Sequence, residues 1–154
     1  MKIIIGNDHG GYEAKCAVVE HLTGKGIEVV NVGSESSEIV RYPHYAQKVA
    51  AGVARGEFDR GILICSTGIG MSIAANKYKG VRASMCTSTY MAKMTRKHND
   101  SNVLCLGGKI TGLGEILDIV DTWLEHQYEG GRHEISLGLI RDLENDVRLR
   151  LPEE

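Results

Sequence analysis

Short apolar runs alternate with stretches of helical spacing along this chain, and that order leaves few folds open. The runs are Lys2–Ile5, Ile27–Val32, Gly61–Cys65, Val81–Cys86 and Asn102–Leu106. Most are continuously apolar rather than alternating, as expected of strands covered on both faces. Between them, Tyr12–Leu22, His44–Arg55, Met71–Lys77, Tyr90–Lys97 and Leu113–Tyr128 have helical character. In the last, Leu113, Ile116, Leu117, Val120 and Leu124 draw one apolar stripe along a helix. The repeated strand-then-helix order predicts an α/β fold with a parallel, doubly wound sheet of about five strands. At 154 residues the chain is long enough for a single domain, 1–154, with its own core. It shows no internal repeat, low-complexity tract or linker.

Beyond Glu129-Gly130-Gly131-Arg132 the pattern changes. Ile140, Leu143, Val147 and Leu151 recur at helical spacing among Arg141, Asp142, Glu144, Asp146, Arg148 and Arg150. Two readings stand: a terminal helix packed on its own domain, or a dimerisation arm of about residues 130–154 packed on a second copy.

Composition excludes some partners. The formal net charge is −2, so there is no global electrostatic case for nucleic acid or an anionic membrane, and any phosphate binding must come from local groups. The opening MKIIIGND has neither the apolar run of roughly 7–15 residues expected of a signal peptide nor the ~20 of a membrane helix. Cys16, Cys65, Cys86 and Cys105 are widely spaced and form no CxxC pair. That speaks against a disulfide framework or a structural zinc site, and makes reduced thiols and a cytoplasmic location the expectation.

In doubly wound sheets, ligands bind beyond the carboxyl ends of the strands. Polar residues just after a strand run are therefore the site candidates. The first strand leads into Gly6-Asn7-Asp8-His9-Gly10-Gly11, where Asp8 and His9 can project into the crevice. Asp8 equally suits a cap on the next helix. The third leads into Cys65-Ser66-Thr67-Gly68-Ile69-Gly70, with a helix expected from about Met71. This loop lacks the third glycine of a dinucleotide fingerprint and any Walker lysine, so it suits a small anion or an anionic intermediate better than NAD or ATP. Cys65 is either a core residue or a thiol activated at the helix N-terminus. His98 is either a solvated residue or a proton shuttle. Lys109 and Arg132 are either surface charges or phosphate partners.

Together these residues resemble the ribose-5-phosphate isomerase B family, which includes the galactose-6-phosphate isomerase subunits. The resemblance runs from about residue 1 to residue 133. It is carried by Asp8-His9-Gly10-Gly11, Tyr42-Pro43, Gly61-Ile62-Leu63-Ile64-Cys65, Thr67-Gly68-Ile69-Gly70, Ser72-Ile73-Ala74-Ala75-Asn76-Lys77, His98-Asn99-Asp100 and Gly130-Gly131-Arg132-His133. It implies a Rossmann-like, three-layer α/β/α sandwich and a homodimer, often paired into a tetramer, with a C-terminal helix exchanged at the interface. It also implies metal-free, cofactor-free aldose–ketose isomerisation of a sugar phosphate through an enediolate, with ribose 5-phosphate and ribulose 5-phosphate as the expected pair. Cys65 matches the base that moves a proton between C1 and C2. Thr67 and the backbone of Gly68, Ile69 and Gly70 match the groups that hold the enediolate oxygens. Asp8, Tyr42 and His98 match residues of sugar binding and ring opening, and Asn99 matches a hydroxyl contact. His9 and Arg132 match phosphate-side residues, with Arg132 reaching into the partner's site.

Three departures from the family pattern bear on the substrate. Family members commonly have arginine where this chain has Lys109, a second arginine where it has Ser136, and glycine where it has Ser66. Arg132 and Ser136 are spaced to share one helix face, so the usual pair would grip one phosphate. A lost charged hydrogen bond costs roughly 1.5–3 kcal/mol, or about ten- to a hundredfold in affinity. Arg41, His133 or Arg141 could compensate. Otherwise the sugar differs, or is unphosphorylated, or the chain is a non-catalytic sugar-phosphate binder. The retained His9 and Arg132 favour a phosphorylated substrate.

Overall fold

The computed structural model describes residues 1–150. Five strands, β1 (Lys2–Asn7), β2 (Glu28–Asn31), β3 (Arg60–Cys65), β4 (Ala83–Met85) and β5 (Val103–Gly107), form one sheet in the order β2-β1-β3-β5-β4. Every pairing is parallel. The helices are α1 (Tyr12–Gly24), α2 (Tyr42–Ala54), α3 (Ile69–Ala75), α4 (Thr89–Asn99), α5 (Leu113–Glu125) and α6 (Arg132–Glu144).

The continuous apolar runs are explained by a core on each face of the sheet. Ile3, Ile5, Ile62, Ile64, Leu104 and Leu106 pack under α1, α4 and α5. Their neighbours Ile4, Leu63, Cys65, Val103 and Cys105 pack under α2 and α3. Successive strand residues point to opposite faces, so a strand sandwiched between helices needs an apolar residue at every position. The outer strands are shorter than the apolar runs predict. Val81 and Cys86 are buried beneath helices but lie outside the β4 ladder, so burial made their run look longer than the strand.

Trp123 of α5 is the largest fully buried side chain of the first core. Its Nε1–H donates to Ser101 Oγ at 2.8 Å, and the Arg60 guanidinium lies 5.1 Å from its ring centre. Trp123→Ala is expected to cost about 3–5 kcal/mol in a denaturant titration. Trp123→Phe, which keeps most of the volume but drops the hydrogen bond, should cost about 1–3 kcal/mol.

The C-terminal region differs from the sequence expectation in register. α5 stops at Glu125 rather than Tyr128, with His126 extended and its Nδ1 2.8 Å from the Thr122 carbonyl oxygen. Gly130 and Gly131 take positive φ of 64° and 59°, and α6 starts directly after them. It ends at Glu144, before the left-handed Asp146 (φ 59°), so the 140–151 spacing runs across a helix terminus. Val147 lies past the helix, and Leu151 lies outside the described residues. α6 touches its own chain through buried Leu137 and through Glu144, whose carboxylate accepts the Gly80 N–H at 2.9 Å. Ile135, Leu139 and Leu143, one helix row, remain exposed. Among the described residues, no helix is long and apolar enough to cross a membrane.

Candidate active site

Chain direction diverges between β1 and β3: β1 leads to β2 on one side, and β3 leads to the other half of the sheet. A crevice opens at such a switch point, beyond the carboxyl ends of the strands. The turns after β1, β3 and β5 meet there. Asp8 N–H donates to the Ile64 carbonyl at 3.2 Å, Gly108 N–H to the Cys65 carbonyl at 2.8 Å and Lys109 N–H to the Ser66 carbonyl at 3.1 Å. Ser66 Oγ lies where a side chain on Gly10 would sit, so the serine packs against the β1 turn rather than standing free in solvent. Asp8 does cap: its Oδ1 accepts the Gly10 N–H at 2.9 Å.

Cys65 ends β3 and is nearly buried, with its sulfur accepting the Gly68 N–H at 3.1 Å. Gly68 takes φ 80°, and a side chain there would crowd the Leu106 backbone, so glycine is required for this turn. The other inward cysteines differ in kind. Cys86 donates its thiol to the Ser84 carbonyl at 3.9 Å, and burial pushes its pKa up to about 12. Burial, together with neighbouring Cys65 and Cys86, raises the Cys105 thiol well above its ordinary range. A backbone N–H aimed at sulfur favours thiolate, whereas burial without a donor favours thiol. Cys65 alone of these three receives such a donor. Thr67 Oγ1 accepts the Ile69 N–H at 3.3 Å, and α3 begins at Ile69, two residues earlier than expected. The Tyr42 ring lies across Gly70, where a Cβ would come within 3.0 Å of it.

Beside this loop, His9, Gly10, Tyr12, Glu13, Ser37 and Lys109 line a cleft of about 370 Å³. His9 Nδ1 accepts the Val40 N–H at 3.3 Å, so in the neutral ring Nε2 carries the proton. Lys109 makes no ion pair among the described residues. Of the cations that could stand in for a missing arginine, Arg141 is engaged by Glu134 at 2.6 Å, and His133 is stacked on His98. Arg41, at the start of α2 beside Tyr42, is exposed and carries no ion pair among the described residues.

His98, Asn99, Arg132 and Ser136 do not join this crevice within one chain. α4 runs back from the carboxyl edge, so His98 and Asn99 at its end precede β5 at the amino edge. From Val103 to Gly107, the partner of Cys65, β5 alone spans about 13 Å at 3.3 Å per residue. A helix between parallel strands carries its two ends to opposite edges, so His98, which precedes β5, lies away from Cys65 within one chain. Asn99 instead lines a cleft of about 480 Å³ with Asn76, Arg82, Ile140, Leu143 and Glu144. The rings of His98 and His133 stack at 4.2 Å between centres and 15° between planes. Glu129 Oε2 lies 4.0 Å from His98 Nε2 and 3.9 Å from His133 Nε2, while Oε1 holds Lys97 at 2.6 Å. These three residues could in principle ligate a metal. Their ligand atoms lie within 4.8 Å of one another. Glu129 is a residue that strand-end reasoning passed over; its only sequence signal is its place in the Glu129-Gly130-Gly131-Arg132-His133 turn.

The sequence matches the Ribose/Galactose Isomerase family over residues 3–140. The chain belongs to that family. Within the Ribose/Galactose Isomerase family it is 51% identical over 143 residues to ribose-5-phosphate isomerase B of Escherichia coli, spanning 93% of this chain and 96% of that protein. The solved ribose-5-phosphate isomerase B of Clostridium thermocellum superposes with a TM-score of 0.94 at 51% identity, covering 95% of this chain and 99% of that one. The Mycoplasma genitalium enzyme, solved with bound ribulose 5-phosphate, gives 0.91 at 38% identity, covering 95% and 97%. The chain is thus an aldose–ketose isomerase on a five-stranded α/β scaffold.

Proposed function

We propose that the substrate pair is ribose 5-phosphate and ribulose 5-phosphate, that Cys65 is the proton-transferring base, and that a second copy of the chain completes each site. The observation that carries the reading is the Gly68 N–H directed at the Cys65 sulfur in a crevice shared by Asp8, Tyr42 and the cleft of His9 and Lys109. The names of the Escherichia coli and Clostridium thermocellum relatives, and the ribulose 5-phosphate held by the Mycoplasma genitalium protein, support the substrate.

In the forward direction the furanose opens first. His98 gives a proton to the ring oxygen as the C1–O bond breaks, and the C1 hydroxyl proton leaves to Asp8. The Cys65 thiolate then takes the proton from C2, whose electrons form the enediolate. The O2 hydroxyl proton passes to O1, and the same thiol returns its proton to C1, so that O2 becomes the carbonyl of the ketose. Negative charge grows on O1 during this step, where Thr67 and the backbone N–H groups of Gly68, Ile69 and Gly70 meet it. Asn99 contacts a sugar hydroxyl. His9 and Lys109 of one copy and Arg132 of the other face the phosphate, with Arg41 the additional cation that makes up for Ser136.

Two features support the second copy. His98, Asn99 and Arg132 lie at the sheet edge opposite Cys65, so within a single chain the residues matched to ring opening and to one side of the phosphate stand apart from the thiol. The exposed row Ile135, Leu139 and Leu143 gives α6 an unpaired apolar face for the dimerisation arm to bury. The reading treats residues 1–154 as one domain and the protein as cytoplasmic, in keeping with four free thiols.

A turnover panel in D₂O tests the substrate. Ribose 5-phosphate should be isomerised with solvent deuterium appearing at the carbon that receives the proton, and free ribose should not react. Equal turnover of free ribose would remove phosphate from the reading. Binding of ribose 5-phosphate with no isomerisation and no deuterium uptake would favour the binding-module alternative.

A further inference from the structure

We propose that Glu129 and His133 are positioning residues that hold the ring of His98 for its role in ring opening. The inference rests on the reading of His98 given above and deepens it. Glu129 is fixed at both ends. Its backbone N–H donates to the Lys97 carbonyl at 3.0 Å, and its Oε1 holds the Lys97 ammonium at 2.6 Å. That leaves Oε2 facing the two imidazole Nε2 atoms at nearly equal distance, 4.0 Å to His98 and 3.9 Å to His133.

Two imidazolium rings 4.2 Å apart and almost parallel would repel, so the stack disfavours charge on both rings at once. Burial first, then His98 and Arg132, lower the pKa of His133, against the opposing pull of Glu129. The charged groups around the pair are Lys97 from α4, Glu129 from the turn and Arg132 from α6. With Lys97 already paired, Glu129 is the only anion among them. His133 Nε2 also offers Oε2 a second neighbour, which keeps the carboxylate centred on the stack. His98 Nδ1 has no partner among the described residues and remains for the sugar of the second copy's site. Glu129 thus faces the Nε2 side of His98 at ion-pair rather than hydrogen-bond distance, which leaves the Nδ1 side for the substrate.

The chemistry of the two substrates separates this role from a merely structural one. Ribose 5-phosphate is mostly ring-closed and must be opened. Ribulose 5-phosphate has its C5 oxygen blocked by phosphate, cannot form the five-membered ring, and enolises without a ring-opening step. Glu129→Gln should therefore lower forward kcat/KM on ribose 5-phosphate about tenfold, less than loss of the proton-transfer group itself would cost. It should also move the limb of that pH profile that belongs to the imidazole pair to lower pH, because a protonated pair without its carboxylate is less stable. Exchange of the C1 protons of ribulose 5-phosphate in D₂O should stay within about twofold of the parent, since it uses Cys65 and not His98. Glu129→Asp should restore part of the forward rate. Equal loss of both activities, or no loss of either and no shift of the limb, overturns the proposal. His98→Gln run beside these variants keeps the two readings apart. If it leaves forward turnover intact, the role of His98 itself fails. If it abolishes forward turnover while Glu129→Gln changes nothing, only the present inference fails.

Discussion

Cys65→Ala is expected to lower kcat for ribose 5-phosphate by at least about a thousandfold, within the range that a positioned proton-transfer group contributes. KM should change little, because the sulfur meets the substrate carbon chiefly in the transition state. The fold should survive. Cys65 sits among Met71, Ala75 and Cys105 under α2 and α3, and removing one sulfur atom from that core costs about 1 kcal/mol. Circular dichroism and a thermal melt on the same preparation separate lost chemistry from lost structure. Cys65→Ser is the sharper variant. It keeps the shape and a hydroxyl that can still accept the Gly68 N–H, but alcohol is far harder to ionise than thiol. Turnover within tenfold of the parent in Cys65→Ala would end the case for a thiolate base.

The second large effect is a rescue. Cys65→Ala and His98→Gln homodimers should each be nearly inactive in forward turnover. After mixing in equal amounts under conditions that let subunits exchange, about a quarter of parental activity should return, if the copies pair as two-fold dimers. Half of the dimers are then mixed, and each mixed dimer has one site with Cys65 from one copy and His98 from the other. Its second site carries both substitutions. The measurement is specific activity against time after mixing, with size-exclusion chromatography to follow the exchange. If both residues served the same site from within one chain, mixing would restore nothing. The separation of β3's carboxyl end from the end of α4 in a single chain is what makes the rescue the expected outcome.

Much of the architecture was legible because its cause is local. β1, β3 and β5 read as strands because helices cover both their faces, and Ile3, Ile4 and Ile5 are each buried in turn. The carboxyl-edge turns were legible for the same reason: glycines and polar residues directly after an apolar run mark where the backbone leaves the sheet. The errors arise where a distant element decides. Val81 and Cys86 are apolar to suit helices above them, not to extend β4. The helical spacing through Ile140, Leu143 and Val147 is genuine, yet Asp146 in the left-handed region stops α6 before it is complete. His98, Glu129 and His133 are brought together only because α5 ends at Glu125 and two glycines reverse the chain ahead of α6. No periodicity in the sequence records that meeting.

The strand order also governs when the protein can assemble during synthesis. β3 and β4 are consecutive in the sequence but are not neighbours in the sheet; β5 lies between them and pairs with both. Until the ribosome has released residue 107, the strand that carries Cys65 has only β1 beside it, and β4 has no neighbour at all. A nascent chain therefore presents the free edge of its most apolar strand while roughly two-thirds of the protein has already been made, the stage at which unpaired strands are most exposed to aggregation. Insertion of β5 ends that exposure and, in the same event, brings Gly107 beside Cys65 and the Gly108 N–H onto the Cys65 carbonyl. The step that completes the sheet is also the step that closes the turn around the thiol.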